Sequence, residues 1–137
     1  MPEVGRVKRP KEFDLLKSFF HVKIDVEDLD RSLDFYCNKL QFKQIVRYDV
    51  PNGTVIVQVS PTGMPPGIEL WYEPPFKGFN NDRLHLAFEV DDVAGVIREL
   101  KRKGVHIEHE PFRIGHETIA FIRDPDGYLI EFNNNTN

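Results

Sequence analysis

The sequence predicts an α+β fold of two βαβββ modules, related by a pseudo-twofold axis and forming a concave sheet. Three observations carry that prediction. The chain has 137 residues, the length of one compact domain. Its strand-like segments alternate polar and apolar residues with period two, and two further segments carry apolar residues at helical spacing. The order strand, helix, strand, strand, strand occurs twice, at an interval of roughly 60 residues.

Taken in order, residues 1–17 are of mixed charge with two prolines and read as an N-terminal arm. The single domain spans 18–137, with module one at about 18–75 and module two at about 82–134. In FFHVKIDV, Phe20, Val22, Ile24 and Val26 fall on one face and His21, Lys23 and Asp25 on the other. Asp28 is placed to cap a helix whose apolar stripe is Leu29, Leu33, Tyr36, Cys37 and Leu40. Three strands follow: FKQIVRYDV, TVIVQVS after the turn Pro51-Asn52-Gly53, and GIELWYE after PTGMPPG. The second copy opens with LHLAFEV, where Leu84, Leu86, Phe88 and Val90 oppose His85, Ala87 and Glu89. Asp92 caps the second helix, whose stripe is Val93, Val96, Ile97 and Leu100, and Gly104 stops it. HIEHEPF, ETIAFIR and YLIEF complete the copy, the last two joined by the turn Asp124-Pro125-Asp126-Gly127. Packing the helices on the outer faces leaves the polar faces of the strands open, where a ligand would sit.

Composition narrows the function. A balance of 18 Lys+Arg against 22 Asp+Glu gives −4, which argues against nucleic acid or an anionic membrane as partner. No apolar stretch approaches the ~20 residues of a membrane helix, and the start does not read as a signal peptide. The one cysteine, Cys37, excludes an internal disulfide and favours an intracellular, cytoplasmic setting. An enzyme, a small-molecule binder or an interaction module fits these bounds.

Chemistry-bearing residues stand at matching points of the two copies. Each first strand carries a histidine, His21 and His85, 64 residues apart. Each last strand carries a glutamate, Glu69 and Glu131, 62 apart. All four fall on the face opposite the aliphatic positions. One histidine or glutamate on a strand is ordinarily a surface residue, but four at equivalent places in a repeat point to a shared task. If the copies meet about a pseudo-twofold axis, two carboxylates converge and repel unless a cation neutralises them. Two imidazoles and two carboxylates suit a divalent transition metal such as Zn, Ni, Co, Mn or Fe.

The segments HVKIDVEDLDRSLDFYCNKLQF, GIELWY, LHLAFEV and AFIRDPDGYLIEF resemble the vicinal oxygen chelate superfamily, and most closely its lactoylglutathione lyase (glyoxalase I) branch. The resemblance covers about residues 19–133 and implies metal ligands at His21, Glu69, His85 and Glu131. It implies a lyase or isomerase whose substrate chelates the metal through two adjacent oxygens, with Glu131 as base moving a proton through an enediolate and Glu69 assisting. Relatives resembling methylmalonyl-CoA epimerase usually carry Gln at the second ligand, and dioxygenase relatives use three ligands. Epimerase, dioxygenase and antibiotic-sequestering members are the alternatives on the same fold. Resemblance also implies a homodimer acting on a small molecule. Asp25 and Glu73 stand where glutathione-handling relatives place a basic residue and an Asn, so an anionic tripeptide is expected to bind poorly. Asp25, Trp71, Arg113 and His116 are the candidate substrate contacts, with Lys23 and Arg83 as possible anion contacts. Tyr48 is expected to pack in the interior, and His106 and His109 to lie on the surface.

Overall fold

Period-two alternation becomes two four-stranded sheets in the computed structural model, which describes residues 15–76 and 82–134. The elements are β1 (His21–Asp25), α1 (Leu29–Leu33), β2 (Lys43–Asp49), β3 (Val55–Ser60), β4 (Gly67–Tyr72), β5 (Leu86–Glu89), α2 (Val93–Arg102), β6 (Ile107–Ile114), β7 (Glu117–Arg123) and β8 (Leu129–Asn133). The sheets run β1-β4-β3-β2 and β5-β8-β7-β6. In each, the first strand lies parallel to the last strand of its module and the other pairs are antiparallel. The two halves are therefore copies of one βαβββ plan. Most of the arm expected over 1–17 lies outside the described residues, and residues 15–17 are exposed.

Both helices start where a capping aspartate predicts. Asp28 accepts from the Arg31 N–H at 3.1 Å and Asp92 from the Gly95 N–H at 3.0 Å, satisfying donors that have no intrahelical partner. Gly104, at φ +80°, closes α2 in the left-handed region that glycine alone enters cheaply. The first helix departs from the regular stripe. Beyond Leu33 it widens into π-helical winding over Asp34–Lys39, with the Leu40 N–H reaching the Phe35 carbonyl five residues back at 2.9 Å. Phe35 and Tyr36 are buried within this winding, Ser32 is buried just before it, and Cys37 is only half-buried.

Strand edges also differ from expectation. Phe20 and Leu84 precede the paired segments and are 53% and 76% exposed rather than packed with the aliphatic face. Inside β4 and β8 the alternation holds, whereas β3 is buried on both faces from Val57 to Ser60 and β2 and β6 bury no residue. Ile24, Val57, Val59, Ile68 and Leu70 bury one face of the first sheet, and Ala120, Ile122, Ile130 and Phe132 one face of the second, beside Ile97 and Leu100 of α2. Each fully buried large aliphatic side chain contributes about 1.5–3 kcal/mol. His21, Lys23, Asp25, Glu69 and Trp71 are left on the opposite, open face of the first sheet.

The two modules share a core through the turn Asp124-Pro125-Asp126-Gly127. The buried Asp124 carboxylate accepts from the Tyr36 hydroxyl at 2.7 Å and from the N–H groups of Asp126 and Tyr128 at 2.9 Å each. Burial, reinforced by the neighbouring carboxylate, pushes the Tyr36 phenol well above its ordinary value, so it stays a donor. Burial also pushes Asp124 up, against the bonds it accepts. Asp126 accepts from the Glu27 N–H at 3.2 Å and the Arg31 guanidinium at 3.0 Å. Tyr128 bridges β1, its hydroxyl accepting from the Asp25 N–H at 3.2 Å and donating to the Asp25 carbonyl at 3.1 Å. No helix among the described residues is long and apolar enough to cross a membrane.

Candidate metal centre

The parallel pairing of first and last strands brings each histidine to its glutamate. In module one, Lys23 stands opposite Glu69 in the β1–β4 register, so His21, two residues earlier on the same face, reaches that carboxylate diagonally. In module two, Ala87 stands opposite Glu131, and His85 reaches it in the same way. The His21 Nε2 lies 3.4 Å from Glu69 Oε2, and the His85 Nε2 lies 2.9 Å from Glu131 Oε1.

Those separations match the edge of a coordination shell. With metal–ligand bonds of about 2.1 Å, donors at a right angle stand about 3.0 Å apart and donors at the tetrahedral angle about 3.4 Å. The His21–Glu69 gap is also long for an N–H···O hydrogen bond. The His21 Nδ1 is buried without a hydrogen-bond partner among the described residues. An imidazole with one nitrogen enclosed and the other turned to a carboxylate fits a cation between them. The donor chemistry therefore suits a divalent ion, two ligands from each half.

Within one chain the four residues form two pairs. No group of three or more His, Cys, Asp or Glu side chains arranged to hold a metal occurs among the described residues. Each chain thus presents two His–Glu pairs, one per module, each a candidate half-site.

The half-sites differ in what surrounds the glutamate. Glu69 accepts from the Trp71 indole N–H at 2.6 Å on one oxygen and from the Gln58 amide at 2.8 Å on the other. Burial opposes its ionisation, but the Trp71 and Gln58 donors, with the charges of His21 and Lys23, outweigh it and hold the carboxyl below its ordinary value. Glu131 accepts from the Asn133 amide at 3.1 Å, and its cross-strand neighbour is the hydrocarbon ring of Phe121. The His85 ring meets Phe121 edge-on at 5.5 Å, His109 meets Phe121 at 5.6 Å, and Phe112 lies 6.4 Å from His109. An aromatic wall therefore flanks the second half-site.

The remaining candidates fall in different places. Lys23 binds Asp25 at 2.5 Å and lies 5.1 Å from the centre of the Trp71 ring. Trp71, Lys23, Asp25 and Glu73 line a cavity of about 340 Å³ whose far wall is Pro74, Pro75 and Phe76. Arg113 pairs with Thr118, on the face that carries Ala120 and Ile122, and donates to the Gly115 carbonyl at 3.3 Å. It thus points away from Glu131. His116 is exposed in the β6–β7 turn, one residue before β7. Tyr48 is 54% exposed and does not pack in the core. His109 is exposed as expected but belongs to the aromatic wall.

Gln58, Phe121 and Asn133 escaped the sequence reading. Gln58 had a signal, being the one polar residue in the run Val55–Val59 and 91% buried by its 9% exposure. Phe121 had none, because an aromatic in a strand reads as core.

Residues 18–132 match the family described as the Glyoxalase/Bleomycin resistance protein/Dioxygenase superfamily. A lactoylglutathione lyase of Neisseria meningitidis is 35% identical over 119 residues, spanning 82% of this chain and 86% of that protein. One from Salmonella typhimurium is 32% identical over 118 residues, spanning 81% and 87%. Among solved structures, the trypanothione-dependent glyoxalase I of Leishmania major superposes with a TM-score of 0.73 at 31% identity, covering 85% of this chain and 86% of that one. Glyoxalase I from Zea mays gives a TM-score of 0.75 at 27% identity, covering 87% of this chain and 45% of that one.

Proposed function

The chain belongs to the glyoxalase/bleomycin resistance protein/dioxygenase superfamily, and from that premise we propose that it is a metal-dependent lyase or isomerase of the glyoxalase I type. It works as a homodimer in which module one of each chain faces module two of its partner, so that each metal site is completed across the interface. The observation that supports this is the pair of matched His–Glu half-sites, at 3.4 and 2.9 Å, on open sheet faces of one chain.

His21, Glu69, His85 and Glu131 would hold the ion, which supplies a Lewis acid for negative charge developing on two adjacent substrate oxygens. The substrate class is the hemithioacetal of a thiol and a 2-oxoaldehyde, as the relatives named lactoylglutathione lyase favour. Glu131 takes the proton from the carbon that bears sulfur and returns it to the neighbouring carbon, giving a 2-hydroxy thioester. The product contains every atom of the substrate, and no outside oxidant enters. Glu69, held by two donors, stays anionic and fixed as a ligand. His21 and His85 serve as ligands alone, and the Phe121, His109 and Phe112 wall excludes water from the reacting carbons. Glutathione is the thiol of choice for assay: Lys23 already pairs with Asp25, which leaves Glu73, of the two acids set against the tripeptide's carboxylates, to oppose them.

Mixed dimers test the arrangement. His21→Ala and Glu131→Gln homodimers should each be inactive and, for His21→Ala, depleted of metal. Unfolding and refolding them together should recover about a quarter of wild-type activity, because half the dimers would be mixed and each would have one intact site. A mixture no more active than its parents would overturn the shared site, and wild-type protein that takes up no divalent ion would overturn the enzyme class.

A further inference from the structure

We propose that Trp71 and Gln58 are positioning residues for the Glu69 carboxylate, and that Lys23 and Asp25 hold Trp71 in place rather than contact substrate. This inference rests on Glu69 being a metal ligand, as proposed above.

The network lies across three adjacent strands, set by their register. Lys23 stands opposite Glu69 and Asp25 opposite Trp71 between β1 and β4, and Gln58 stands opposite Glu69 between β3 and β4. The indole N–H takes one carboxylate oxygen at 2.6 Å and the Gln58 amide the other at 2.8 Å. Two donors on two different oxygens fix the rotation of the carboxylate, which leaves a lone pair of Oε2 turned toward the His21 Nε2. The indole is itself held. The Lys23 ammonium lies over its ring at 5.1 Å, and Asp25 binds that ammonium at 2.5 Å. Asp25, Lys23 and Trp71 thus form a chain of contacts that ends on a ligand oxygen.

The second module provides an internal control. At the places of Gln58, Trp71, Lys23 and Asp25 it carries Phe121, Asn133, Ala87 and Glu89, on the same strands with the same pairing. The βαβββ plan folds without the network, so the network is not a requirement of the fold. It belongs to the glutamate it surrounds. Outer-shell partners of this kind typically govern metal affinity by 10–100-fold.

The test is zinc affinity of the metal-stripped full-length protein, read by competition with a chromophoric chelator. Trp71→Phe and Gln58→Leu should each weaken zinc binding by about 10–100-fold. Lys23→Met should weaken it by about threefold, the scale of an exposed cation–π contact. Trp71→His, which keeps a ring N–H, should recover part of the Trp71→Phe loss. Trp71 is the only tryptophan in the sequence, so wild-type emission should change as zinc is added. Zinc affinities of Trp71→Phe and Gln58→Leu within twofold of wild type would overturn the positioning role while leaving the metal site standing. Wild-type protein that binds no zinc and no other divalent ion would sink both. Should Trp71→Phe fail to fold, Gln58→Leu alone decides.

Discussion

His21–Glu69 and His85–Glu131 are one pair of residue types on one pair of strands, built twice, and they keep different company. Exposure does not separate them: the glutamates are 13% and 15% exposed. Hydrogen bonding does. Besides its histidine, Glu69 is gripped on both oxygens by neutral donors, while Glu131, besides His85 at 2.9 Å, has one longer bond from Asn133 and a phenyl ring beside it. A repeat can thus supply matched side chains by symmetry and then set their surroundings apart through the residue one strand over. If the two carboxylates hold an ion as proposed, Glu69 would be the fixed ligand and Glu131 the one free to carry a proton.

The largest effect that would break this contrast concerns the bases. Glu131→Gln should lower kcat for a hemithioacetal by about 10³-fold, the usual share of a general base, whereas Glu69→Gln should act first on metal retention. Activity and metal content of the two variants, measured together, check the division. If Glu131→Gln turns over at the wild-type rate, the roles are wrongly assigned. A smaller effect would sharpen the contrast by transplanting it. Phe121→Gln gives Glu131 the cross-strand donor that Glu69 has, and should lower kcat by about tenfold with KM nearly unchanged, as expected for an interaction that holds back only the transition state.

The smallest effect is in stability against pH. The folded value of Glu69 lies below its ordinary one. Its contribution is therefore complete above the unfolded carboxylate value and is lost as pH falls through the lowered folded value. Metal-free protein should lose thermal stability over that acid range, and Glu69→Gln should make the limb shallower by less than one proton, under about 1.4 kcal/mol per pH unit. An unchanged acid limb would mean that the donors around Glu69 do not act on its charge.

Much of this was legible before any coordinates. The spacing of His21 to His85 and of Glu69 to Glu131, read with the alternation, picks out both His–Glu pairs, because strand faces follow directly from period two. The grip on Glu69 was not legible, since it depends on which residues of β3 and β1 stand opposite β4, and register is a property of pairing rather than of any one strand. The π-helical turn of the first helix was hidden too: an apolar stripe fits several windings, and Phe35, outside the expected stripe, is buried within that turn. The contacts that join the modules span 88 residues at Tyr36–Asp124 and 103 at Asp25–Tyr128, far outside any local pattern.

The contacts that join the halves are one-sided. Asp124, Asp126 and Tyr128 all belong to the second half, and their long-range partners Tyr36, Arg31, Glu27 and Asp25 all belong to the first. The hook is on one half and the eye on the other. At the mirrored position, the loop over residues 61–66 offers no acidic hook, and a groove of about 520 Å³ lined by Phe42, Phe88 and Phe132 lies open there. Hook and eye close on each other within one chain, so the duplicated plan is joined on one side and left open on the other.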